Sequence, residues 1–305
     1  VTKAGRAAGA PATEQTPTAG RASAPARSAG REPAEGIPEA AQPGTRAALL
    51  ACADTKLLLG YHYGEWTFGA PSLEAAIAAC SMGQDELGHA RLLQGLLDHF
   101  FGLSQTALVE ERSGREFANV AFLDRPFTSW ADLVAANALV DLAVSLEIAS
   151  FAGSSLGALR RVVDKLLQEE KFHDEHGRAW FLLAAERGPE SRERIAAATR
   201  AALPTVLAFF GDPGSDHDRH LRAAGIRTRT AAAAREDFLG RLGALAEQAG
   251  FGPSAVRAGG ELWGEAGAID WGRWDPARRR ADAGGPSDEL VEHLSGAHNV
   301  EFRRT

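Results

Sequence analysis

Two cysteines in 305 residues leave no material for a disulfide framework. Cys52 and Cys80 form no C-x-x-C pair, which excludes a thiolate metal knot of the usual spacing. Both are expected as small core residues in a reducing cytoplasm. Positive charge is not in surplus: the net charge is −7 and the isoelectric point about 5.8. That removes any electrostatic case for nucleic acid or an anionic membrane as partner. No uninterrupted apolar run approaches the length of a membrane span. The first residues lack a charged-then-apolar pattern, so no leader is expected. No phosphate-cradling Gly-rich loop is visible, and no segment has a convincing strand pattern.

What is present is helix. The chain is 45% hydrophobic, enough for a sizeable core. Residues 1–45 are Ala, Gly, Pro, Thr and Arg with almost no large apolar side chain, and are expected as a disordered, dispensable tail. From Arg46 onward "AALLACADTKLLLGYHYGEWTF" has helical periodicity. Pro71 breaks it, Ser72 is placed to cap the next helix (residues 73–101), and Gly102 stops that one. Residues 103–128 read as loop-rich. A third helix is expected over 130–153, a fourth over 158–187, and further helices over about 190–210 and 231–249. Residues 251–305 have weak periodicity and are expected as a weakly structured extension of the helical domain, residues 46–250. Four long helices in two hairpins predict an all-α, ferritin-like antiparallel four-helix bundle with additional C-terminal helices.

Two of those helices carry the same motif. "QDELGHA" sets Glu86 three residues before His89, and "LLQEEKFHDEHG" sets Glu170 three before His173. Positions i and i+3 share a helix face. Met82 and Leu93 mark the first of these faces as buried. One E-x-x-H is a weak signal, since Glu and His are common on solvated faces. Two of them, on alternate helices of a four-helix pattern, match the ligand set of dimetal carboxylate bundles.

That set needs one inward carboxylate from each remaining helix. Residues at one height in an antiparallel hairpin are equidistant from its turn. For Glu170 the partner is Asp141, whose midpoint with it is near Ser155 and which interrupts the apolar run "ANALVDLAVSL". Glu147 is the competing position. In the first hairpin the same construction about Pro71 sends Glu86 to Lys56. Glu65 is too near the turn, whereas Glu86 is some 20 Å along its helix. The expected ligands are therefore Glu86, His89, Asp141, Glu170 and His173, with a lysine in the sixth place. Its ammonium is expected to pair with Glu86. Asp85 and Glu169 either accept the outer N–H of the histidines across the bundle or face solvent.

The other histidines have plainer readings. His176 lies one turn beyond His173, His62 is a packed or interface residue, "DHDRH" (216–220) is a polar loop, and His293 and His298 lie in the extension. Trp263, Trp271 and Trp274 pack either on the bundle or on a partner.

"ADTKLLLGYHYGEW", "QDELGHARLLQGLL", "LVAANALVDLA" and "EEKFHDEHGRAW" resemble the phenylacetic acid catabolic protein family, over roughly residues 46–210. Its members are ferritin-like subunits of phenylacetyl-CoA 1,2-epoxidase, a bacterial multicomponent oxygenase. The resemblance implies a di-iron site, held here by Glu86, His89, Asp141, Glu170 and His173, and epoxidation of the ring of a CoA thioester. It implies a heterodimer with a homologous ferritin-like partner, and a flavin and iron–sulfur reductase as electron donor. A homodimer is the other arrangement, and Arg160 and Arg161 are either candidates for contacting CoA or an ordinary solvated face. "QDELGHA" and "EEKFHDEHG" look like the catalytic subunit, "LLLGYHYGEW" like its non-catalytic partner. Catalytic members have a glutamate at the place of Lys56, which leaves a mono-metal or empty site as alternatives. The readings are thus an oxygenase subunit, a non-catalytic structural partner, or a ferritin-like metal-handling protein.

Overall fold

The computed structural model describes residues 36–212 and 214–302. Most of the expected tail therefore lies outside the described residues. Among the described residues there is no strand, only one isolated bridge between Asp275 and Arg280. The fold is an all-α, ferritin-like bundle.

Helix α1 (Gln42–Glu65) begins ahead of Arg46 and is buried on nearly every side. A helix covered on nearly every side belongs in an interior, where its polar side chains, Asp54 and Lys56 among them, need partners. Helix α2 (Leu73–Phe101) has the bounds expected. The Ser72 hydroxyl accepts from Ala75 N at 3.2 Å, and Gly102 adopts a left-handed φ of 70°. The two helices cross closely at Gly60 and Gly83. A methyl at Gly60 would lie 2.9 Å from Leu87 Cγ and 3.1 Å from the Gly83 carbonyl.

Helix α3 runs as Trp130–Ala135, a π-helical stretch Ala136–Asp141, and Leu142–Ala149. It ends four residues before the expected 153, because residues 150–154 turn the chain with short-range bonds of their own. Helix α4 (Gly157–Glu186) follows, and α5 (Pro189–Phe209) starts after Gly188, whose φ of 117° reverses the chain. Gly177 lets α4 meet the π segment. A methyl there would sit 3.1 Å from the Ala138 backbone.

Three further expectations change. "DHDRH" is not a loop but part of helix α6 (Asp216–Ala223). Ser215 caps it, acids fill its first turn and His220 and Arg222 its last, an order the helix dipole favours. Cys80 is exposed and only Cys52 is buried, since Cys80 lies on the outward face of α2. The segment after helix α7 (Ala231–Gln248) is pinned by side chains rather than by periodicity. Among the described residues its last α-helix is α8 (Asp288–Ser295), with a 3-10 stretch, Ala297–Phe302, after it.

That pinning rests on three consecutive arginines. Arg278 donates to the Phe117 carbonyl, and Arg280 pairs with Asp124 at 2.5 Å. Arg279 reaches Glu147 at 2.7 Å and caps the carbonyls of Phe209 and Phe210 at the end of α5. Its φ of 54° is strained for a residue with a side chain, and those bonds hold it there. Trp274 donates to the Ala208 carbonyl at 3.0 Å, and Trp263 is half-buried against the same core. Trp271 lies under the Arg235 guanidinium. All three tryptophans pack on this chain.

Glu147 thus sits between two arginines, Arg279 and Arg227, the latter at 2.5 Å. Burial opposes its ionisation, yet the two guanidiniums hold its carboxyl below the usual range. Removing one partner of a buried pair leaves charge uncompensated. Glu147→Ala is expected to lower unfolding free energy by about 3–5 kcal/mol in urea denaturation. A loss under about 1 kcal/mol would show that the arginines find other acceptors.

Candidate metal centre

Four helices deliver the centre. α1 contributes Lys56 and Tyr63, seven residues apart and so on one face. α2 contributes Glu86 and His89, α3 contributes Asp141, and α4 contributes Glu170 and His173. All five sequence-predicted donors are buried and converge. The two imidazoles lie 6.2 Å apart, centroid to centroid. Ligand atoms of Glu86, Asp141, Glu170 and His173 come within 4.8 Å of one another, a donor set that could hold a metal ion.

Lys56 stands among them. Its fully buried ammonium donates to Asp141 Oδ1 at 2.5 Å, Glu170 Oε1 at 2.6 Å and Glu86 Oε1 at 3.0 Å. An ammonium has three N–H groups, and each has a carboxylate. Burial alone would strip its charge, but Asp141, Glu170 and Glu86 outweigh burial and hold its pKa well above that of an ordinary lysine.

The histidines complete a cation set. His173 Nδ1 lies 2.9 Å from Glu86 Oε1 and 3.0 Å from Asp141 Oδ2, and His89 Nδ1 lies 2.9 Å from Glu170 Oε1. Burial lowers the pKa of His173, but its bond to Asp141 and the nearby charges push it up to about 11. His89 is raised too, against burial, chiefly by Glu170. Three carboxylates therefore face Lys56 and two imidazoles that favour the protonated form. Asp141 is held well below its usual range: burial opposes this, but Lys56 and His173 prevail. Glu86 is the reluctant anion, pushed up to about 7 by burial and by Asp141 against the pull of Lys56. Its Oε2 makes no hydrogen bond.

The outer nitrogens face acids at the rim. His89 Nε2 lies 2.7 Å from Glu169, and His173 Nε2 faces Asp85 at a looser 3.5 Å. Both acids reach across the bundle toward a histidine while keeping 38% and 41% of their side chains exposed, so each of the two readings describes part of their setting. Three further residues escape sequence reasoning. Tyr63 donates to Asp141 Oδ2 at 3.4 Å and Ser145 to Glu170 Oε2 at 2.6 Å. Asn137 reaches Asp141 at 3.4 Å and the His173 carbonyl at 3.1 Å. For Asn137 and Ser145 the available signal is the spacing of four between 137, 141 and 145 in an apolar run.

Other candidates stand elsewhere. Glu147, the competing ligand, faces its two arginines instead of the centre, being six residues past Asp141 and so on another face. Glu65 bonds to Tyr61 and His62. His62 stacks on Phe127 at 4.1 Å. His176 Nδ1 meets Asn137 Oδ1 at 2.8 Å, and burial, with His173 nearby, pushes its pKa down to about 4. His293 approaches the Tyr61 hydroxyl at 3.2 Å, and the side chain of His298 lies outside the described residues. Arg160 and Arg161 are exposed, the former bonded to the Ser154 carbonyl.

The residues present do not fit a dinuclear iron centre. Such a centre takes six protein ligands from four helices. Here the α1 position supplies a cation, and its nitrogen lies within 3.0 Å of three carboxylate oxygens that a metal would need.

Comparison with known proteins gives the family. The chain is 27% identical over 133 residues to one component of the 1,2-phenylacetyl-CoA epoxidase of Escherichia coli (strain K12), covering 43% of this chain and 54% of that protein. It is 24% identical over 154 residues to a second component of the same epoxidase, covering 50% and 49%. The chain thus spans about half the length of the curated relatives it matches. The family model described as phenylacetic acid catabolic protein matches residues 23–265, most of the sequence. The chain belongs to the phenylacetic acid catabolic protein family.

Proposed function

We propose that the chain is a subunit of a multicomponent oxygenase resembling phenylacetyl-CoA 1,2-epoxidase, acting in the breakdown of phenylacetate-type aromatics in the cytoplasm. In that assembly it serves as the structural partner of a homologous, iron-carrying ferritin-like subunit. That partner receives electrons from a flavin and iron–sulfur reductase and acts on an aryl-CoA thioester. One observation carries the choice of role: the Lys56 ammonium bonds all three central carboxylates. A centre neutralised from within does not require a metal cation, and without one it has no redox chemistry to offer.

Two further observations support the reading. The chain resembles two different components of one epoxidase to a similar degree, as a paralogue within such an assembly would. Leu73, Ile77 and Leu87 recur along the outer face of α2 with exposures of 73%, 62% and 45%. An exposed apolar stripe of this kind suits contact with another subunit. No helix among the described residues is long and apolar enough to cross a membrane.

The second reading is the iron-carrying subunit itself, with Glu86, His89, Asp141, Glu170 and His173 as ligands. It is favoured by the two intact E-x-x-H pairs and the acids behind their histidines. Iron content separates the two. Purified from iron-supplemented cells, the chain is expected to hold well under one iron. An iron complement near that of a full dinuclear centre overturns the structural role.

The assembly is tested by co-expression with a homologous subunit bearing the full six-ligand set. The two chains are expected to co-elute, and phenylacetyl-CoA-dependent oxygen consumption with reductase should require both. Turnover by this chain with reductase alone, or failure to co-elute, overturns the assignment.

A further inference from the structure

Three carboxyl groups within bonding distance of one nitrogen cannot all be ionised in an apolar interior without a cation. Ferritin-like centres meet that demand with metal. Here the atom that meets it is covalently part of α1. Lys56 Nζ lies at 2.5, 2.6 and 3.0 Å from carboxylates carried on α3, α4 and α2. It therefore ties α1 to each of the other three helices at one point.

We propose that Lys56 is the resident cation of this centre, doing the cross-linking that a metal does in dimetal carboxylate bundles, and that its ammonium, by occupying the three carboxylates, bars a divalent ion from the site. Removing the ammonium leaves Glu86, Asp141, Glu170 and His173, whose ligand atoms lie within 4.8 Å of one another. Hard oxygens with one imidazole suit a first-row divalent cation such as Mn²⁺, Fe²⁺ or Co²⁺. The vacated centre also has the donors to orient those ligands. Ser145 holds the second oxygen of Glu170, and Asn137 and Tyr63 hold that of Asp141. Glu86 Oε2, buried and without a hydrogen bond, is free to turn toward an ion. The ligand site is thus preformed, and one side chain decides whether it holds its own cation or takes one from solution. The proposal rests on the metal-free reading of the centre given above, but not on the assembly.

The test uses the isolated full chain and cobalt(II), whose visible absorption reports coordination by protein ligands. Three proteins are compared: wild type, Lys56→Ala, and Lys56→Ala combined with Glu86→Gln. The wild type should bind no cobalt, and its melting temperature should be indifferent to cobalt and to chelator. Lys56→Ala should melt lower without metal. It should then recover on adding cobalt, with about one ion bound per chain and an affinity at least about tenfold above that of wild type. The double variant removes one surplus anion. It should be more stable than Lys56→Ala without metal and respond to cobalt less. Cobalt absorption in the wild type equal to that of Lys56→Ala overturns the proposal, because the ammonium would then not be the barrier. So does a metal-free Lys56→Ala as stable as wild type, or one that neither absorbs nor recovers with cobalt. If Lys56→Ala does not fold, the double variant and the wild-type titration decide the matter, since a double variant that also fails to fold contradicts the surplus-charge account. Failed co-elution with a homologous subunit would overturn the assembly reading and leave these results untouched.

Discussion

One ammonium and three carboxylates, all away from water, set the terms for this bundle. Each ion buried alone would cost several kcal/mol, and the interior offers no water to share the burden. Lys56 offsets the cost because its three N–H groups have three acceptors, each on a different helix. The helices must therefore meet at one height and in one rotational setting. Apolar contacts are non-directional, whereas a three-way ion contact is met only at one setting of the helices. The π-helical stretch of α3 fits this constraint. It ends on Asp141 and also aims Asn137 at the centre. Gly177 lets α4 come close enough to receive both.

A second buried ionic knot, Glu147 with Arg227 and Arg279, has a different use. Its cations come from outside the four core helices, from the loop before α7 and from the C-terminal extension. The knot fastens those late segments to α3, while the Lys56 cluster organises the bundle. Asp54 repeats the device on α1, accepting from Arg112 at 2.6 Å and from the Ala118 backbone N–H at 2.8 Å. In each case a buried carboxylate is tolerated because guanidinium or backbone donors saturate its oxygens.

The centre keeps much of what a metal site requires, including inward Nδ1 atoms, outer nitrogens facing Glu169 and Asp85, and carboxylates held by hydroxyl and amide donors. It departs at a single position. Replacing a ligand carboxylate by an amine changes both the count of donors and the sign of the charge. The surrounding residues then serve a salt cluster, because the same carboxylate oxygens accept from the ammonium. A ligand motif read alone is for this reason weaker as a functional signal than the charge of the whole cluster.

Much of this is legible along the chain. The bounds of helix α2 follow from Ser72 and Gly102, which act locally through one side-chain bond and one backbone angle. The pairing of Glu86 with His89 and of Glu170 with His173 follows from helical periodicity. Asp141 and Lys56 follow from equal distances to a turn. These are properties of one helix or one hairpin. What the tertiary structure decided involves groups far apart in sequence. Equal distance to the turn favours Asp141 over Glu147 for the centre, but nothing local says that Glu147, six residues on, meets Arg227 and Arg279. The reach of Lys56 past Glu86 to Asp141 and Glu170 spans 85 and 114 residues. The anchoring of Arg278, Arg279 and Arg280 depends on carbonyls and carboxylates of segments that come together only on folding. Local sequence controls dihedral angles and faces, whereas the balance of buried charge is a sum over space, and only the folded chain performs it.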